Sequence, residues 1–186
     1  MRTFIAIELS KDIKEALARV ESHLKYSGAD VKWVASENIH LTLKFLGEIS
    51  EEKCEEVKTA LDEVAKSTIP FEVSLKDIGA FPKIEFPRVI WIGLDKGTKE
   101  SIELAAKIDE ALSKIGFNKE ARPFAAHLTI GRVRSAKNKD ALKENIAKHP
   151  PEAAGHHLAS SVILFHSELT PAGSIYTKLH EAKFLT

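Results

Sequence analysis

The chain has no glutamine, one cysteine and one methionine in 186 residues. A single cysteine, Cys54, excludes an internal disulfide and a cysteine-rich zinc site. Long hydrophobic runs are missing too: no stretch approaches the roughly 20 apolar residues that span a bilayer. The first nine residues alternate and are too short for a secretory leader, so they are expected to form a strand and the expected compartment is the cytoplasm. Net charge is absent as well, 27 Lys+Arg balancing 27 Asp+Glu. That argues against coating nucleic acid through a broad basic face, but it leaves room for a local pocket that grips one or two phosphates. Scarce Gln, Met and Cys beside abundant Lys and Glu is the bias of proteins from hot environments.

What is present is globular in kind, 44% apolar and 29% charged. A chain of this length suits one domain, or two small lobes sharing a core, and can bury roughly 70% of its unfolded surface. Four amphipathic stretches are expected as helices. In residues 10–26, Ile13, Leu17, Val20 and Leu24 make one stripe after a candidate N-cap, Ser10, with Gly28 near the stop. In residues 50–66, Cys54, Val57, Leu61 and Val64 repeat it, and Glu51 and Glu52 suit the positive end of the helix. Cys54 is therefore expected in the core and not as a nucleophile. In residues 98–115, Ile102, Ala105, Ile108 and Leu112 are expected inward, with Gly116 as the stop. A shorter helix is expected over 139–148, ended by Pro150 and Pro151.

Strands are expected at 3–9, 31–34, 39–46, 71–78, 89–94, 124–133, 158–166 and 175–184. The order of elements in the first half recurs approximately in the second, which implies pseudo-symmetric halves. This grouping points to α+β layers and not to a doubly wound parallel sheet.

The halves share one phrase. His40-Leu41-Thr42-Leu43 returns 87 positions later as His127-Leu128-Thr129-Ile130. Residues i and i+2 of a strand point the same way, so each copy aims an imidazole and a hydroxyl to one side and aliphatic side chains to the other. One such histidine is an ordinary structural residue; two in the same apolar frame point to a shared site. Histidine titrates near neutrality, so a pair supplies one acid and one base at a single pH. Two threonine hydroxyls can donate to non-bridging phosphate oxygens as charge builds there. With no carboxylate in the set, metal-free cleavage of a phosphodiester fits best.

A zinc site would need at least three ligands, and each His-x-Thr offers one. His156, His157 and His166 lie in a different segment, and adjacent His156 and His157 would point to opposite sides of a strand, as surface or edge residues. Arg132 has the wrong parity for the face of His127, unless Gly131 marks a bulge that resets the alternation. With the bulge its guanidinium could meet a phosphate; without it, Arg132 is a solvated strand-end residue. Arg134, Lys137 and Lys139 read as a solvated face or a weak RNA-backbone patch. Gly93 to Lys99 lacks the spacing of a P-loop, and no Lys-x-Asp-Gly is present, so ATP-driven ligation is unsupported.

Longer signatures surround both copies. Val31-Lys32-Trp33-Val34, followed by Glu37-Asn38-Ile39-His40-Leu41-Thr42-Leu43-Lys44-Phe45-Leu46-Gly47-Glu48, and Arg122-Pro123-Phe124, leading into His127-Leu128-Thr129-Ile130-Gly131-Arg132, resemble the two-histidine (2H) phosphoesterase superfamily. The nearest likeness is to its RNA 2′,3′-cyclic phosphodiesterases, once called 2′-5′ RNA ligases. Arg2 to Ile7 resembles the family's first strand, and Ser167 and Tyr176 sit where the family keeps those residues.

The resemblance implies one bilobal α+β domain over 1–186. Its two antiparallel sheets would face a central cleft in pseudo-two-fold symmetry, with helices on the outer faces. It implies hydrolysis of a terminal ribose 2′,3′-cyclic phosphate to a 2′-phosphomonoester without metal or other cofactor. His40 and His127 would be catalytic, and Thr42, Thr129, Arg132 and Tyr176 would bind substrate. His40 is expected as the acid and His127 as the base. Run backwards, the same groups would form a 2′-5′ linkage. RNA ends, tRNA-like or oligoribonucleotide, are the expected partner, with no membrane and no obligatory protein partner, the chain acting as a monomer. The rivals are a phosphodiesterase of small cyclic-phosphate metabolites and a non-catalytic module that binds RNA ends.

Overall fold

Two of the four amphipathic stretches begin at a serine whose hydroxyl takes up an otherwise orphaned backbone N–H. Ser10 Oγ accepts from the N–H of Ile13 at 3.4 Å and Ser50 Oγ from that of Lys53 at 3.1 Å, contacts worth about 1 kcal/mol each. In the computed structural model, which describes residues 1–148 and 155–186, the chain runs β1 (Arg2–Ile7), α1 (Lys11–Lys25), β2 (Val31–Trp33), a 3-10 turn (Ser36–Asn38), β3 (Leu41–Glu48), α2 (Glu51–Ala65), β4 (Phe71–Lys83), β5 (Phe86–Leu94), α3 (Thr98–Ser113), β6 (His127–Val133), α4 (Lys139–Lys148), β7 (His156–Ala159), β8 (Ser161–Thr170) and β9 (Gly173–Lys183). The expected stop at Pro150 and Pro151 lies outside the described residues. No helix among those residues is long and apolar enough to cross a membrane.

All strand pairs are antiparallel, in two sheets ordered β3-β1-β8-β9 and β2-β6-β5-β4-β7. Each motif strand lies beside the first strand of its own half, β3 on β1 and β6 on β5. The next strand comes from the opposite half, β8 in one sheet and β4 in the other. Because each sheet needs strands of both halves, the pseudo-symmetric halves close on one another.

One continuous core takes side chains from both sheets and all four helices, Cys54 among them. In β1, Ile5 and Ile7 enter this core, while Phe4 and Ala6 turn to the opposite face and meet Ile163 and Phe165 in a smaller cluster. The period of two in a strand thus gives the first sheet a second apolar face, away from the helices.

Four expectations are corrected. The strand expected over 158–166 is two strands in different sheets, since the chain breaks at Ser160 between β7 and β8. The strand expected from 39 begins only at Leu41, after the 3-10 turn, and the one expected from 124 begins at His127. Ile102 is exposed on α3, because the buried stripe is Ser101, Leu104, Ala105, Ile108 and Leu112, one residue out of phase with it.

A cost is stored on α1. Glu21 is only 4% exposed, and its Oε1 has no hydrogen-bond partner among the described residues. Burial, with the charge of Glu37 adding and Lys25 opposing, raises its pKa to about 7. The folded state therefore holds a proton that the unfolded chain releases near 4.5, and this residue's contribution to stability falls as pH rises between those values. Glu21→Gln is expected to be more stable than wild type by up to roughly 3 kcal/mol above pH 7 and by little below pH 4.5. Urea unfolding at both pH values checks this; an advantage that does not grow with pH contradicts it.

Candidate active site

The apolar residues of the two phrases decide where the polar ones point. Leu41, Leu43, Leu128 and Ile130 all enter the shared core, so each His-x-Thr is turned to the other side of its strand. Register agrees: Thr42 is paired with Ala6 on the second apolar face, and Thr129 is paired with Trp91. Strands β3 and β6, the two strands that carry the motifs, are also in contact.

Both histidines are locked in the same way. His40 Nδ1 lies 3.0 Å from the carbonyl oxygen of Asn38, and His127 Nδ1 lies 2.7 Å from that of Ala125, each two residues upstream. A carbonyl can only accept, so Nδ1 carries the proton in both rings and Nε2 is left for the cleft. Asn38 is itself held by donating Nδ2–H to the carbonyl of Ser174 in β9 at 3.1 Å. Neither Thr42 nor Thr129 spends its hydroxyl on a hydrogen bond within the described residues.

Aromatic rings wall each imidazole. His40 lies 4.6 Å from Phe165, 5.6 Å from Tyr176 and 6.2 Å from Phe4, centroid to centroid. His127 lies 5.3 Å from Phe81 and 6.3 Å from Trp91. The indole of Trp91 lies so close over Gly79 that an added Cβ would meet it at 2.2 Å; glycine is what lets this wall form. Burial lowers the pKa of His40 to about 4; the carbonyl of Asn38 and Glu8 oppose this, and the charges of Lys14 and Lys178 add to it. Its imidazole is therefore neutral at working pH, with the Nε2 lone pair available.

The alternation does break, and it breaks identically in both motifs. Along β3, Thr42 is paired with Ala6 and Lys44 with Ile5, so Leu43 is the extra residue. Along β6, Thr129 is paired with Trp91 and Gly131 with Ile90, so Ile130 is the extra residue. Each is a β-bulge three residues after the histidine. Gly131 then falls on the core side, where an added Cβ would sit 2.7 Å from Val31 and 3.1 Å from Trp33. Arg132 is turned outward and exposed, while Val133 packs on the core.

The equivalent bulge in β3 places two residues that spacing alone did not single out. Lys44 goes inward, its Nζ 2.6 Å from Asp109, 3.2 Å from Glu120 and 3.0 Å from the carbonyl of Asn118. Phe45, five after His40 as Arg132 is five after His127, is 69% exposed and lies 6.0 Å from Phe4. Both phrases thus carry an outward residue at the fifth position, because the bulge falls at the same place in each.

The three other histidines weighed as metal ligands are on other strands. His156 and His157 are on β7, an outer strand of its sheet with β4 and β5 between it and β6, and His166 is on β8. Among the described residues no three His, Cys, Asp or Glu side chains converge as a metal ligand set. An open recess beside the start of α3 carries Glu72, Asp95, Glu100 and Glu103 against Lys96 and Lys99, a balance that disfavours an anion.

Two antiparallel sheets that each present a His-x-Thr to a common cleft define a two-histidine phosphoesterase. The family model described as LigT like Phosphoesterase matches twice, over residues 7–91 and 92–176, one histidine motif in each match; the chain belongs to that family. Proteins named RNA 2′,3′-cyclic phosphodiesterase from Methanocaldococcus jannaschii and Methanothermobacter thermautotrophicus are 42% and 36% identical to it. Those matches cover 97% and 96% of this chain and 99% and 96% of theirs. The crystal structure of E. coli LigT in apo form is similar with a TM-score of 0.80 at 26% identity, over 100% of this chain and 98% of that one.

Proposed function

We infer that the chain is an RNA 2′,3′-cyclic phosphodiesterase that opens a terminal ribose 2′,3′-cyclic phosphate to a 2′-phosphomonoester, using His40 and His127 as base and acid. The observation that carries this is the matched lock on the imidazoles, which leaves two Nε2 atoms for one substrate. The near-full-length relatives bearing that name support the substrate class.

Water attacks phosphorus, and His40 Nε2, neutral through burial, takes the water's proton. The P–O3′ bond breaks, and the departing O3′ takes a proton from His127 Nε2. The product carries phosphate on O2′ and a free 3′-hydroxyl. The assignment reverses the one expected from the sequence, because a ring desolvated as His40 is disfavours the cation that a general acid must be. Thr42 and Thr129 donate to the non-bridging oxygens, and Arg132 brings a guanidinium to the substrate's phosphates. Tyr176 shapes the floor beneath His40, and Phe45 offers a flat ring on which a base can stack. With a 5′-hydroxyl in place of water, the same two proton transfers make a P–O5′ bond as the P–O3′ bond breaks and O3′ is protonated, which accounts for 2′-5′ ligation without ATP. The enzyme is taken to act as a cytoplasmic monomer without metal.

The pH dependence tests the roles. The acid limb of kcat/KM reports the free base, so activity is expected to persist as pH falls and to drop only near pH 4, where His40 gains its proton. An acid limb close to pH 6.5, the ordinary value for histidine, removes His40 as the buried base. EDTA should leave the rate unchanged; loss on chelation with recovery on zinc overturns the metal-free reading.

A further inference from the structure

Lys32, on the short edge strand β2, is paired directly with Arg132. Val31 and Trp33 pack on the core, so Lys32 lies on the other face of the sheet, with Arg132 beside it. The row continues from Arg132 to Val89 and from Val89 to Phe81, and Phe81 is the ring against His127. Two cations thus stand opposite each other, one rung beyond Thr129 on the face that carries the motif. Directly opposed like charges destabilise a strand pair.

Nothing in the described fold relieves them. Neither Lys32 nor Arg132 has an ion pair among the described residues. Asp30 and Arg134 form the next rung, where Arg134 N–H donates to the Asp30 carbonyl, but the Asp30 carboxylate reaches neither cation within ion-pair distance. With one residue taken up in the bulge, Arg132 stands about 7 Å along the strand from Thr129. The chemistry that this arrangement recognises is a second anion next to the reacting phosphate.

We propose that Lys32 and Arg132 form a second phosphate subsite, which holds the internucleotide phosphodiester on the 5′ side of the cyclised terminal nucleotide. The inference rests on the phosphodiesterase reading and deepens it, since it makes an oligonucleotide end the preferred substrate over a cyclic mononucleotide. Arg132, with five donors in a planar fork, can serve both phosphates. Lys32 belongs to the second alone.

The test compares three substrates: adenosine 2′,3′-cyclic phosphate, a diadenylate ending in a 2′,3′-cyclic phosphate, and the same dinucleotide with an uncharged methylphosphonate linkage. Wild type should favour the anionic dinucleotide over the methylphosphonate by roughly tenfold in kcat/KM, a charge-assisted contact being that strong. Lys32→Ala should lose most of that preference and Lys32→Arg should keep it. The melting temperature of Lys32→Ala should hold or rise, as repulsion is removed. Wild-type indifference to the linkage charge, or an alanine variant that keeps the full preference, overturns the subsite while the phosphodiesterase reading stands. Failure of wild type to turn over any of the three overturns both.

Discussion

Replacing either His40 or His127 with alanine is expected to lower kcat/KM for a 2′,3′-cyclic phosphate by roughly 10²- to 10⁴-fold, the worth of one positioned proton transfer. The two effects should not multiply, because each histidine acts on an event that the other completes; the double variant should sit close to the worse single one. The cause must be chemical and not a failure to fold. His127 stands at the start of β6 and is partly exposed, so its loss should leave the melting temperature nearly unchanged. His40 packs between Phe165 and Tyr176, so its removal also leaves a small void; His40→Asn is the better-filled control. Single-turnover rates beside thermal melts separate the two causes. Near-wild-type turnover in either folded variant contradicts the assigned roles.

Thr42→Val and Thr129→Val should each cost roughly 10²-fold in kcat, with a much smaller change in KM. Valine keeps the branched shape that suits a strand and removes only the hydroxyl. Neither hydroxyl hydrogen-bonds to the described protein, so neither substitution strands a buried partner. What is lost is a donor aimed at oxygens whose charge grows in the transition state, and preorganised donors of that kind are worth about 3 kcal/mol. Steady-state kinetics of the two variants decides. A loss confined to KM would make the threonines ground-state binders.

Much of this site is legible in the sequence alone, for a local reason. A period of two, imposed by Leu41, Leu43, Leu128 and Ile130, assigns both His-x-Thr pairs to the side away from the core. What the pattern could not hold was the break in that period. A bulge is a mismatch between two strands, so the outward turn of Arg132 and Phe45 and the inward turn of Lys44 depend on β5, β1 and α3, all distant in sequence. The exchange of β4 and β8 between sheets was hidden for the same reason, and so was the split at Ser160. Little in the sequence bore on which histidine is acid and which base, because the phrases are nearly identical. What the fold adds is the packing of Phe4, Phe165 and Tyr176 around His40, whose burial lowers its pKa. Ile102 was misplaced by an error of one residue in helical phase.

The most direct measurement is the phosphorus NMR spectrum of an oligoribonucleotide ending in a 2′,3′-cyclic phosphate, followed during hydrolysis with EDTA present. The account requires the cyclic resonance to be replaced by a 2′-phosphomonoester alone, with the His40 and His127 variants slower by roughly 10²- to 10⁴-fold. A 3′-phosphomonoester, or no turnover by wild type until a metal is added, would contradict it.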